Sequence, residues 1–202
     1  MNPLEEIIGT TDIYLLDQIM KGRYNVNEVV LDAGCGYGRN VHWFLRKEMV
    51  IYGVDRDEEA IGELKHRYRV QPDRFRVSEV EKMPFEDEQF DHVISSAVLH
   101  FARDTGQFRR MMAEMVRVLK PSGTLFIRMT TDIGIEDRVR LVEDGVYVIP
   151  DGSRRFLLTR KLLEEVMREH GLSFLEPLKT VNVDDVRCMS TLVLKKGFHF
   201  LT

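Results

Sequence analysis

The sequence predicts an α/β fold, a doubly wound, mostly parallel sheet of seven strands closed by an antiparallel C-terminal hairpin. Three observations carry this. Apolar periodicity alternates along the chain between short strand-like runs and helix-like spacings of three and four. The first strong run, Val29 to Asp32, ends in a carboxylate and breaks into Gly34, Gly36 and Gly38 before an amphipathic segment, as where a buried parallel strand turns into a ligand-facing loop. Between the last two apolar runs there is no helical pattern, so those strands pair antiparallel.

The elements follow in order. Residues 11 to 20 read as a helix with Ile13, Leu16, Ile19 and Met20 on one side, closed by Gly22. After the strand at Val29 to Asp32, the set Val41, Phe44 and Leu45 marks a helix, and Val50 to Val54 a second buried strand ending at Asp55. Ile61, Leu64 and Tyr68 mark the next helix, Phe75 to Val77 a third strand, and His92 to Ser95 a fourth. Phe108, Met111, Met112, Met115, Val116 and Leu119 follow the helical template, and core packing explains the methionines better than a metal or peptide surface does. Lys120-Pro-Ser-Gly123 stops that helix, and Thr124 to Met129 forms the fifth strand.

Residues 130 to 158 break the rhythm. Two Asp-Gly turns, at Asp144-Gly145 and Asp151-Gly152, flank a β-like run from Val146 to Ile149, which reads as an insertion. A last helix carries Leu162, Leu163, Val166 and Met167 and ends at Gly171; the hairpin strands follow near Ser173 to Val181 and Met189 to Leu194. One domain, 1–202, is expected: a helical cover over 1–28, a ligand-binding core over 29–128, a lid over 130–158, and a helix with the final hairpin over 159–202.

The bulk numbers suit an ordinary domain. At 202 residues and 44% hydrophobic content the chain buries a core without staples. A net charge of −4 supplies no electrostatic footprint for nucleic acid, so no nucleic-acid partner is expected. Glu5 and Glu6 stand where a signal peptide needs basic residues, and no apolar run approaches spanning length, so a cytoplasmic protein without membrane contact is expected. Cys35 and Cys188 lie far apart and form no metal-binding pair, so no metal is expected. The oligomeric state is left open.

The glycine loop narrows the ligand. A dinucleotide fingerprint needs a third glycine where Arg39 stands, and a P-loop needs Gly-Lys-Ser or Gly-Lys-Thr, which is missing. The pattern present is Asp32-x-Gly34-x-Gly36-x-Gly38. Together with Asp55, the Pro84-Phe85 turn, Phe90-Asp91 and Leu119-Lys-Pro-Ser-Gly123, in this order and spacing over roughly 29 to 128, it closely resembles the class I S-adenosylmethionine-dependent methyltransferases. The shorter run Gly36-Tyr-Gly-Arg-Asn40 is also similar to tellurite- and thiopurine-type members.

The resemblance implies a Rossmann-like fold and S-adenosylmethionine as cofactor, with S-adenosylhomocysteine as product. It places Asp32, Ala33, Gly34, Cys35 and Gly36 around the amino-acid end, with Asp32 beside the ligand's positive charge. A carboxylate capping the following turn is the other reading of Asp32. Asp55, with Arg56 beside it, is placed at the ribose hydroxyls, against an alternative role in capping the helix that begins at Asp57. Glu79 aligns with the adenine-contacting acid and Val80 with the ring, Glu81 being the alternative acid. Arg39 reaches the cofactor's carboxylate or ribose, or lies on a helix surface, and Tyr14 covers the cofactor or joins the core. Cys35 is a small filler, having no basic neighbour to activate it.

Ser95 and Ser96 end the fourth strand on the crevice side, and His100 follows, either a base or orienter for the acceptor or a structural histidine. The acceptor reads as a small molecule: no Asp/Asn-Pro-Pro-aromatic tetrad, Pro-Cys nucleophile or magnesium cluster is present. Arg128, Arg138, Arg140, Arg154, Arg155 and Arg160 in or next to the insertion suit an anionic acceptor, while Asp132, Glu136, Asp137, Glu143, Asp144 and Asp151 there suit mixed solvated charge. In-line methyl transfer is the expected reaction; a regulatory module that binds the cofactor without turnover, and a nicotinamide-dependent dehydrogenase, are the alternatives.

Overall fold

The computed structural model describes residues 3–69 and 72–198; Met1 and Asn2 of the chain's acidic opening lie outside them. Helices α1 (Pro3–Ile8) and α2 (Ile13–Met20) precede β1 (Val29–Ala33), α3 (His42–Arg46), β2 (Val50–Asp55), α4 (Glu58–Arg67), β3 (Phe75–Val77) and β4 (Phe90–Ser96). Then come α5 (Thr105–Val118), β5 (Leu119–Thr131), the short strands β6 (Arg140–Glu143), β7 (Val146–Val148) and β8 (Arg154–Phe156), and α6 (Arg160–Glu169). Strands β9 (Leu172–Phe174), β10 (Lys179–Val183) and β11 (Arg187–Lys196) complete the order. Among the described residues no helix is long and apolar enough to cross a membrane.

The main sheet runs β10-β11-β5-β4-β1-β2-β3, seven strands, with β9 added on β11. Strands β3, β2, β1, β4 and β5 are parallel, and β11 lies antiparallel to both β5 and β10, as the sequence predicts. Both faces are covered, which is why the central strands read as unbroken apolar runs. Leu31, Val93, Leu125 and Ile127 pack with the α5 residues Phe108, Met111, Met112 and Met115 on one face; Val30, Ile51, Ile94 and Phe126 pack with Leu15, Phe44, Ile61 and Leu64 on the other. The methionine stripe is therefore core.

Four expectations need correction. Helix α2 starts at Ile13 behind the N-cap Asp12 and turns Leu15 and Gln18 inward, so Ile13 and Met20, expected inside, are 68% and 86% exposed. Gln18 tolerates burial because its amide donates to Asp17 and Glu176 and accepts from Arg23. The Lys120-to-Gly123 stop lies within β5, where the pairing with β4 shifts between Phe90 and His92. The strand expected over Ser173 to Val181 splits into β9 and β10 around Pro177, which has no N–H for the ladder. The insertion holds a three-stranded antiparallel sheet, β6-β7-β8, in place of one run.

Candidate functional site

Strand β1 delivers Asp32 and Ala33 to the carboxyl edge of the sheet, and the chain then folds back over β2. Gly34 and Cys35 both donate their N–H to the Val54 carbonyl, at 2.8 and 2.9 Å, and Gly36 donates to Asp55 Oδ2 at 2.8 Å. Two glycines are needed here for different reasons. Gly34 has φ +88°, and a Cβ on it would run into Val98; Gly36 has φ +49° with open space where its Cβ would stand. The first lets the loop pack against the segment after β4, and the second bares backbone toward a cleft.

That cleft has a volume of about 380 Å³ and is walled by Gly34, Gly36, Asp55, Arg56, Glu79 and Val80, with further wall from Tyr37, Ala97, Val98 and Phe101. Asp55 Oδ1 also accepts from the Asp57 N–H at 3.0 Å, while Asp57 itself caps α4 by accepting from Glu59 and Ala60. Each Asp55 oxygen thus holds one backbone donor and keeps lone-pair capacity for another. Val80 is buried and Glu79 exposed on the cleft wall, whereas Glu81, the alternative acid, is engaged by Arg110 at 3.1 Å and Gln107 at 3.3 Å.

The remaining expected residues do not line this cleft. Asp32 is 1% exposed, and neither carboxylate oxygen has a hydrogen-bond partner. Burial pushes it up to about 7, with Arg39 opposing and Asp55 adding to the rise. Ala33 is buried, and Cys35 is packed against Gly53, its thiol pushed well up by burial and by Asp32 and Asp55, which suits a filler. Ser95 is buried with an unpartnered hydroxyl.

Arg39 points toward Ser96 and Asp12, 3.2 Å from each, and Asp12 Oδ2 also meets Arg128 Nη1 at 3.3 Å and Ser96 Oγ at 3.4 Å. Arg128 lies over the ring of half-buried Tyr14, 4.8 Å from its centroid. His100, in the 3-10 turn Leu99–Phe101, is 7% exposed with an unpartnered Nδ1. Burial, then the charges of Arg155, Arg128 and Arg187, hold its imidazole down at about 4, so it is neutral at pH 7.

The sequence reading missed Asp12, Tyr37, Val98 and Ala97 as site residues. Asp12 carries a readable signal, an acidic residue directly before a helical pattern. Ala97, held at φ +63° with its N–H on the Arg128 carbonyl at 2.8 Å, carries none, because only the packed sheet imposes that conformation.

Comparison with known proteins agrees with this fold. A family model described as "Methyltransferase domain" matches residues 31–127. A phthiotriol/phenolphthiotriol dimycocerosates methyltransferase of Mycobacterium tuberculosis is 34% identical over 96 residues, 46% of this chain; the chain spans only 34% of that relative's length. An uncharacterized protein of Haemophilus influenzae is 31% identical over 192 residues, covering 90% of this chain and 70% of that one. In structure, a 1,6-didemethyltoxoflavin-N1-methyltransferase of Burkholderia thailandensis, solved with bound 1,6-didemethyltoxoflavin and S-adenosylhomocysteine, superposes with a TM-score of 0.68 at 20% identity, over 91% of this chain and 76% of that one. Sequence pattern, sheet order and family match converge: residues 31–127 form a methyltransferase domain of the class I, S-adenosylmethionine-dependent kind.

Proposed function

We propose that the cleft holds S-adenosylmethionine and that the protein transfers the methyl group, by in-line displacement, to a small-molecule acceptor, which the arginines around His100 suit to be an anion. The observation that carries this is Asp32. A carboxylate 1% exposed and without any hydrogen-bond partner is costly unless a cation comes to it. The cofactor supplies a positively charged amino-acid end and an activated methyl group. Asp32, Ser95, Ser96 and Arg39 would hold that end, Asp55 and Arg56 the ribose, and Glu79 and Val80 the adenine, with Tyr14 as cover.

Chemistry then falls to the segment after β4, where Val98 and Phe101 wall the cleft and His100 packs against Phe101. Holding the acceptor in line supplies on the order of 7 to 11 kcal/mol, so a base is not obligatory. His100 is neutral and has a free ring nitrogen, so it accepts a proton from the acceptor if the nucleophile carries one. In this reading residues 130–158, with their three-stranded sheet, form the lid over the acceptor, and 1–28 the cover over the cofactor. Incubation with methyl-labelled S-adenosylmethionine and a small-molecule extract tests it. A labelled product is expected; bound cofactor without product would mean a regulatory module, and no cofactor binding would remove the reading altogether.

A further inference from the structure

Arginines from three separate elements bear on His100 by charge. Arg128 comes from β5, Arg155 from β8 and Arg187 from the start of β11, and each acts on the imidazole electrostatically. Arg128 is matched by Asp12, a carboxylate that Arg39 also claims. Among the described residues Arg155 and Arg187 contact no carboxylate; both act on Asp151 electrostatically, without an ion pair to it. A surplus of positive charge therefore stands here in a chain whose net charge is −4.

The surplus adjoins an apolar plate. Phe101 is 59% exposed, walls the cofactor cleft, packs 4.4 Å from the His100 ring centroid, and carries the Arg155 guanidinium 5.3 Å from its own. Strand β8 brings Arg155 there because Phe156, fully buried, stacks on Phe108 at 4.9 Å and its carbonyl accepts from Thr130 Oγ1 at 3.1 Å. The arginine is thus anchored from below, and its head lies over Phe101 at the cleft with Nη1 donating to the Arg154 carbonyl at 2.9 Å and its other N–H groups left for a ligand.

We propose that the acceptor is an oxyanion-bearing small molecule, a carboxylate or a phosphate monoester, anchored by Arg155 with its apolar body against Phe101. Guanidinium forks match both oxyanions bidentately. The anchored group is a handle and is not itself methylated, so substrate and product are both anions. The proposal rests on the methyl-transfer reading, and its test separates the two.

Labelled products formed from a small-molecule extract are passed over an anion exchanger at pH 7, before and after phosphatase. The expected product is retained; loss of retention after phosphatase identifies a phosphate monoester, and persistence a carboxylate. For the fraction that yields it, the Arg155→Ala variant should raise KM about ten- to a hundredfold while kcat and S-adenosylhomocysteine affinity hold. A labelled product that flows through the exchanger, or an unchanged KM, overturns the proposal and leaves methyl transfer standing. No labelled product at all overturns the methyl-transfer reading, and the proposal with it.

Discussion

The backbone N–H of Gly36 donates to Asp55 Oδ2 over 2.8 Å, tying the loop after β1 to the tip of β2. The same carboxylate is proposed to receive the ribose, so one side chain shapes the loop and binds the ligand. Asp55→Ala is expected to weaken S-adenosylhomocysteine binding about ten- to a hundredfold, the worth of charge-assisted hydrogen bonds. Calorimetry showing unchanged affinity would remove Asp55 from the site.

The two loop glycines should fail differently. Gly36→Ala meets only the left-handed backbone penalty, about 1 to 2 kcal/mol. Gly34→Ala adds overlap with Val98, a further cost of about 1 to 3 kcal/mol. Denaturant melts should rank Gly34→Ala as the less stable, and the reverse order would mean the loop packs otherwise.

Asp32 predicts a pH dependence. Its pKa in the native protein, about 7, lies above the ordinary 3.8, so its stabilising contribution is complete below the ordinary value and lost as pH rises through 7. Binding of a cation needs the ionised form, so affinity for S-adenosylmethionine should weaken about tenfold between about pH 8 and pH 6. Asp32→Asn should abolish that slope; a slope surviving in the variant assigns the titration elsewhere.

His100 has the opposite sign. Its pKa in the native protein, about 4, lies below the ordinary 6.5, so its contribution is present above 6.5 and lost as pH falls through 4. If His100 is the base, the acid limb of kcat lies near 4, and His100→Gln lowers kcat by about two to four orders of magnitude at pH 7. An unchanged kcat assigns His100 to orienting or packing.

Lys196 offers a control far from the chemistry. It is 4% exposed, and its Nζ donates to the carbonyls of Val116 at 3.0 Å and Leu119 at 2.7 Å, closing the end of α5. Lys196→Ala should cost about 1.5 to 3 kcal/mol of stability in a denaturant melt with cofactor affinity intact. Affinity falling in parallel would couple this end of the helix to the cleft.

The parallel core was legible because its central strands are buried on two faces and its turns carry glycine, proline or an acidic cap. Pro177 could have announced the break between β9 and β10, since it cannot donate to a ladder. Gln18 could not have announced its own burial, because Glu176, one of the partners that satisfy it, lies more than 150 positions away. The same holds at the site. The glycine loop and Asp55 are local patterns, whereas the Asp12, Arg39, Ser96 and Arg128 cluster assembles from four segments brought together only by the sheet. The arginines around His100 come from three elements, and in sequence the acidic residues interleaved with them mask the charge surplus.

Calorimetric titration of the protein with S-adenosylhomocysteine tests the central claim most directly. One saturable site is expected, weakened by Asp55→Ala, with no comparable heat from NAD. Absence of binding by S-adenosylhomocysteine, or NAD binding in its place, would contradict it.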